Sequence, residues 1–278
     1  MTLQEFKKTK DYLICVDSDG CAMDTMDIKH FRCFGPCMVE EWGLEAWKDE
    51  ILERWNVINL YSMTRGINRF KGLNMMLTEV NEKYTPIAGV SDLTAWVNSG
   101  AAPSNDALQK AIGETGSGIL KKALSWSKAV NASIVELPDE LKQPFPGAKE
   151  GLAAAAEFAN VAIVSSANRD AVVEEWTKFK LLDHVDVMLA QDMGSKAHCI
   201  AEMLKFGYDK DKVLMVGDAP GDLDAAKVNG VYYYPILVRH EAESWVEFRE
   251  TAVGKLVSGG YGGTYQEEKI DAFLNNLK

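Results

Sequence analysis

From about residue 145 onward, short apolar runs alternate with amphipathic stretches of helical period, and that alternation leaves few folds open to the chain. The runs fall at residues 161–164, 185–189, 213–216 and 231–238, and proline-free helical stretches occupy 148–159, 170–180, 196–206 and 222–228. A short run without polar alternation reads as a strand covered on both faces, the condition of a parallel sheet with helical crossovers. A fifth run, residues 12–16, stands near the N-terminus. The pattern predicts an α/β fold built on a doubly wound parallel sheet. Right-handed crossovers would gather the carboxyl ends of all five strands at one edge, where ligands of open α/β sheets bind.

Residues 22–146 lack the alternation and show helical spacing instead, with Trp47, Ile51, Trp55 and Ile58 on one face. Gly35-Pro36, Thr85-Pro86 and Ala102-Pro103-Ser104 read as breaks between helices. At 278 residues the chain exceeds the usual single-domain size of roughly 100 to 200 residues. It is therefore divided into a core, residues 1–21 and 147–278, and an enlarged all-helical insertion, 22–146. The insertion leaves just after an acidic turn and returns through Gln143-Pro144-Phe145-Pro146-Gly147, so it reads as a lid. The seven tryptophans read chiefly as packing residues. Beyond residue 240 two helices are expected, around 242–251 and 266–277, joined by a flexible glycine-rich connector at 258–264.

A formal charge of −11, from 41 acids against 30 bases, disfavours nucleic acid and anionic membranes as partners. No run approaches the ~18 apolar residues of a membrane span. The first eleven residues carry Lys7, Lys8 and Lys10 without a long apolar segment, unlike a signal peptide, and a cytoplasmic location is expected. Five irregularly spaced cysteines read as reduced thiols. Cys33 and Cys37 near His30 lack the second Cys/His pair of a zinc site.

The candidate chemistry lies just past the runs. Asp17-Ser18-Asp19-Gly20 follows the first, and Gly20 lets the chain turn sharply at positive φ. Ser165-Ser166-Ala167-Asn168 follows residues 161–164. Its hydroxyls and the N–H groups of the next helix suit a phosphate, while the same residue types suit a helix cap. Lys196 opens the helix after 185–189 and could offset negative charge. Gly217-Asp218-Ala219-Pro220-Gly221-Asp222 repeats the carboxylate turn after 213–216. Like charges about 4 Å apart cost roughly 4 kcal/mol at an effective dielectric of about 20, so convergence of Asp17, Asp19, Asp218 and Asp222 calls for a cation. Mg2+, a hard ion that takes carboxylate and carbonyl oxygens, suits them. Asp222 could instead only cap the following helix.

This order, DxDG, serine, lysine, GDxxxD, resembles the haloacid dehalogenase (HAD) superfamily along nearly the whole chain. The resemblance implies a helical cap inserted after the first motif and a Mg2+-dependent phosphatase acting on a small phosphorylated metabolite. Asp17 would be the nucleophile and Asp19 the general acid/base, binding metal through its backbone carbonyl. Ser165 and Lys196 would hold phosphate, assisted by Gly20, Ser166 and Asn168. Asp218 would bind the metal with support from Asp222. The presence of Asp19 argues against dehalogenation, which has no phosphate ester to protonate. The segment 65–73 looks like the cap loop of beta-phosphoglucomutase-type members, which places Arg69, with Arg65, on the substrate; a solvated helix face is the other reading of that pair. Gly217 and Gly72 depart from the mutase pattern. A phosphomutase is the nearest alternative, and a non-catalytic phospho-acceptor a more distant one.

Overall fold

The computed structural model describes residues 2–100 and 102–278. It divides into two compact units, one formed by Met1–Met26 with Asp139–Lys278 and the other by Asp27–Pro138. The first unit contains β1 (Tyr12–Val16), β2 (Met23–Asp24), β3 (Gln143–Pro144), β4 (Ala159–Val164), β5 (Val187–Leu189), β6 (Val213–Gly217) and β7 (Tyr232–Pro235). Strands β2 and β3 form a small antiparallel pair, so residues 22–26 and 139–146 group with this unit although their lack of alternation assigned all of them to the insertion. The other five make one parallel sheet in the order β5-β4-β1-β6-β7. The chain builds outward from β1 through β4 to β5, then returns to the opposite side of β1 for β6 and β7. That reversal makes the sheet doubly wound and places its topological switch point at β1.

Both faces of the sheet are covered, which explains the unbroken apolar runs. Ile14 and Val16 of β1 share a cluster with Val161, Ile163, Leu214 and Val216 and with the helix residues Leu152, Trp176 and Trp245. The alternate residues Leu13, Cys15, Ala162, Val164 and Met215 are buried as well. The crossover helices span Ala148–Phe158, Arg169–Lys178, Lys196–Leu204 and Pro220–Asn229. The last apolar run is strand only as far as Pro235. The Ile236 N–H still reaches Gly217 O, and Arg239, at a φ of 67°, then turns the chain into helix Glu241–Glu247. This helix continues through a π turn, Phe248–Ala252, into Val253–Val257. The connector at 258–264 is pinned rather than flexible: Tyr261 is fully buried and its hydroxyl donates to Tyr233 O at 2.8 Å.

The second unit is entirely helical among the described residues, with its main helices at Gly35–Trp42, Lys48–Leu60, Arg69–Lys83, Val90–Val97, Asn105–Thr115 and Gly118–Val135. Trp55, Phe70 and Trp126 pack edge to face within its core. Breaks occur at Thr85-Pro86 and Ala102-Pro103-Ser104, the latter with Ser104 capping the next helix through a bond from Ala107 N. Gly35-Pro36 makes no break. Met26–Lys29, the π turn His30–Phe34 and Gly35–Trp42 run on in helical conformation. The wider turn accommodates a proline that has no N–H to donate, and Gly35 N bonds to His30 O. A Cβ on Gly35 would lie 2.6 Å from Leu52 Cδ2, so glycine also permits the close approach of Lys48–Leu60. No helix among the described residues is long and apolar enough to cross a membrane.

Candidate active site

The Asp17 N–H donates to Val216 O at 3.0 Å, extending the β1–β6 pairing by one residue and bringing the first acid to the carboxyl edge of the sheet. The chain then coils around Ser18, whose carbonyl accepts from Cys21, Ala22 and Met23 at 3.3, 3.0 and 2.9 Å. Gly20 completes the turn at a φ of 81°, a conformation that favours glycine. Ser18 N donates to Asp17 Oδ1 at 2.7 Å and fixes that carboxylate against its own backbone.

Asp218 follows β6, and Asp222 lies in the first turn of helix Pro220–Asn229. Asp222 Oδ2 accepts from Ala219 N at 3.1 Å, so it does cap its helix, yet it also joins the acid cluster. Carboxylate oxygens of Asp17, Asp218 and Asp222 all lie within 4.8 Å of one another, and all three residues are buried. Gly217 is required here: a Cβ at that position would stand 2.3 Å from Asp222 Cγ. The departure from the mutase pattern at this position thus has a steric cause.

Lys196 begins helix Lys196–Leu204, and its Nζ lies 2.6 Å from Asp17 Oδ2 and 2.6 Å from Asp222 Oδ1. Burial pushes the Asp17 carboxyl up to about 8, with Asp222 and Asp218 adding to the rise and Lys196 opposing it. Burial works against the Lys196 charge, but Asp17, Asp222 and Asp218 outweigh it and hold the ammonium above the usual lysine range. Three carboxylates therefore face one ammonium. This hard-oxygen donor set with uncompensated negative charge fits a divalent cation such as Mg2+. Among the described residues it is the one grouping of three metal-ligating side chains; His30 Nδ1, beside Cys33 and Cys37, accepts from Trp55 Nε1.

The carboxylate of Asp19 stands outside this cluster. It is half-buried and accepts from Thr25 Oγ1 at 2.6 Å. Thr25 escaped sequence reasoning because the pair exists only once the turn has closed. Ser165 directly follows β4, buried, with its N–H on Leu189 O and its hydroxyl accepting from Ala167 N. Ser166 is exposed. Asn168 caps helix Arg169–Lys178, accepting from Asp170 N and Ala171 N at 2.9 and 3.3 Å. The two arginines belong to the helical unit, and neither sits on a solvated helix face. Arg65 is buried in a turn and donates to Leu60 O at 2.8 Å, with Asp27 Oδ1 at 3.9 Å. Arg69 opens helix Arg69–Lys83 and bonds Ser127 Oγ and Asn131 Oδ1 at 3.1 and 2.7 Å.

The family model for haloacid dehalogenase-like hydrolases matches residues 93–235, just over half of the chain. The chain belongs to the haloacid dehalogenase-like hydrolase family. The matched stretch includes Ser165, Lys196, Asp218 and Asp222 but not Asp17, whose place in the HAD-like site rests on geometry. No curated protein matches this HAD-like hydrolase. Among solved structures it is similar to a provisionally named phosphoglycolate phosphatase from Lactobacillus delbrueckii subsp. bulgaricus. The two are 15% identical over 82% of this chain and 86% of that one, with a TM-score of 0.51. A provisionally named beta-phosphoglucomutase from Thermotoga maritima is 16% identical over 89% and 97% of the two chains, with a TM-score of 0.48. At 15% identity the first likeness bears on the HAD-like fold alone.

Proposed function

We propose that this protein is a Mg2+-dependent phosphatase that hydrolyses a small phosphorylated metabolite through an aspartyl-phosphate on Asp17. The observation that carries the reading is the convergence of Asp17, Asp218, Asp222 and Lys196 at the switch point of the sheet. An Asp17 oxygen attacks phosphorus in line, and the ester oxygen departs with a proton from Asp19. Water then attacks the phosphorus of the acyl phosphate while Asp19 takes a proton from that water, and the bond from phosphorus to Asp17 breaks to release inorganic phosphate and restore the Asp17 carboxylate. Thr25 holds the Asp19 carboxylate for both transfers. Lys196 spends two of its three N–H donors on Asp17 and Asp222, which leaves one for a phosphate oxygen. Ser165 and the neighbouring Ser166 supply further hydroxyls at the end of β4. Asp17, Asp218, Asp222 and the backbone carbonyl of Asp19 would hold Mg2+, which when bound neutralises enough charge for a carboxylate to approach a phosphate.

The direct test is hydrolysis of p-nitrophenyl phosphate with and without Mg2+, followed by a panel of phosphorylated metabolites. Metal-dependent turnover that disappears in Asp17→Asn is the expected result. Release of inorganic phosphate from a sugar phosphate without a bisphosphate primer distinguishes a phosphatase from a phosphomutase. Turnover in Asp17→Asn equal to that of the native protein would refute the reading.

A further inference from the structure

Five of the seven tryptophans lie in the helical unit; the other unit has only Trp176 and Trp245. Both of these indoles donate to the turn that carries Asp17 and Asp19. Trp176 Nε1, from helix Arg169–Lys178, reaches Ser18 Oγ at 2.8 Å. Trp245 Nε1, from helix Glu241–Glu247, reaches Cys21 O at 2.9 Å, across 224 residues of sequence. Donors and acceptors are all fully buried, so water cannot replace either bond if it is lost. Ser18 is the pivot of the turn: its carbonyl gathers three backbone N–H groups, its own N–H holds Asp17 Oδ1, and its hydroxyl takes the Trp176 indole. Helix Ala148–Phe158 is carved to seat the second indole. A Cβ on Gly151 would lie 2.5 Å from Trp245 Cε3, and one on Gly147 would lie 3.1 Å from Trp245 Cβ.

We propose that Trp176 and Trp245 are positioning residues: they clamp the turn at Ser18 and Cys21 and so hold Asp17 and Asp19 in reacting geometry. The kinetic half of this inference rests on the phosphatase reading above. It also gives the C-terminal segment a task, delivery of Trp245 to the acid turn.

Trp176→Phe, Trp245→Phe and Ser18→Ala each remove one of these bonds. The control is Tyr208→Phe, which removes a buried bond of 2.8 Å to Asn160 Oδ1, near the amino end of β4 and away from the acid turn. With p-nitrophenyl phosphate and Mg2+, kcat should fall about 10- to 100-fold in the three clamp variants, the scale of an ångström-sized misplacement. KM should stay within about twofold, as expected where positioning rather than binding is lost. Tyr208→Phe should keep its kcat. Ser18→Ala combined with Trp176→Phe should be no worse than the poorer single variant, because both break one interaction. A readout that needs no activity is amide hydrogen exchange at Cys21, Ala22 and Met23, which should quicken at least about tenfold in Trp176→Phe and Ser18→Ala but not in Tyr208→Phe. Unchanged exchange, or an equal change in Tyr208→Phe, overturns the clamp. Quickened exchange in a protein whose native form turns over no phosphate ester upholds the clamp and refutes the phosphatase reading instead. Should Trp176→Phe fail to fold, Ser18→Ala carries both measurements, since it removes only a hydroxyl.

Discussion

Both units bury charge, but they settle it differently. In the helical unit each buried or half-buried arginine is accommodated locally: Arg65 by Leu60 O and nearby Asp27, Arg69 by Ser127, Asn131 and the face of Phe34 at 5.0 Å. In the sheet-bearing unit three buried carboxylates share one lysine. The difference teaches that burial alone does not mark a reaction site. A buried charge already satisfied by its own unit needs no ligand to complete it, whereas an excess of one sign is relieved by a proton or by a cation that binds.

The largest expected effect puts the two kinds of charge side by side. Asp17→Asn should lower phosphatase kcat by at least about 10³-fold, as the loss of a nucleophile does. Arg65→Met should leave kcat and KM unchanged and cost about 1–3 kcal/mol of stability, because it strips a buried carbonyl of its donor. Steady-state kinetics and denaturant unfolding of both variants decide the matter. A raised KM in Arg65→Met would break the comparison and return that arginine to the substrate.

The Asp17 carboxyl, pushed up to about 8 chiefly by burial, gives the same contrast a pH signature. The folded protein keeps this proton up to about pH 8, whereas the unfolded chain releases it near the ordinary value of 3.8. Between those limits the native state binds more protons, so each rise in pH favours unfolding. Stability without metal should therefore decline from about pH 4 to pH 8 and level off above. Asp17→Asn should flatten that decline, and Mg2+ at pH 8 should reverse it by binding only the folded state. Urea midpoints across this range, with and without Mg2+, provide the check; a midpoint that climbs with pH in metal-free native protein contradicts the charge excess.

Two glycines sharpen the comparison sterically. A Cβ at Gly217 would collide with the Asp222 carboxyl, and one at Gly72 would stand 2.4 Å from Asn59 Oδ1. Gly217→Ala and Gly72→Ala should each cost about 1–3 kcal/mol, the usual cost of overpacking. Only Gly217→Ala should also depress kcat, since moving Asp222 loosens the partner of Lys196.

The sheet was legible because its strands are buried on both faces and so wrote themselves as apolar runs; the run at 12–16 coincides with β1, and the helix expected at 148–159 with Ala148–Phe158. The acid turns were legible because their place at strand ends is a local property. What stayed hidden depends on partners that only tertiary structure supplies. Trp176 reads as a core residue until Ser18, 158 positions away, receives its N–H. Arg65 reads as a cap-loop contact to substrate or as a solvated helix residue, and its burial in a turn closed on Leu60 O shows only in the folded chain. Pro36 reads as a helix break until a π turn makes room for it.

The smallest expected effect lies in a charge pair of the helical unit and runs in the opposite direction with pH. Glu79 accepts from Arg54 Nε at 3.0 and 2.9 Å and from Arg54 Nη2 at 2.7 Å, and Arg54, followed by Lys83, draws its carboxyl below the ordinary 4.5. A lowered carboxyl contributes stability that is present above the unfolded value and lost as pH falls through the folded one, the reverse of Asp17. With Arg54 44% exposed, the pair is screened by solvent and salt and is worth only about 0.2–1 kcal/mol. Glu79→Gln should thus lower stability slightly at pH 7, progressively less as the pH falls below 4.5, and less in high salt, with kcat untouched. A variant that lost turnover, or that weakened most at alkaline pH, would show that the helical unit too keeps charge in reserve for a ligand, and the distinction between the two units would fail.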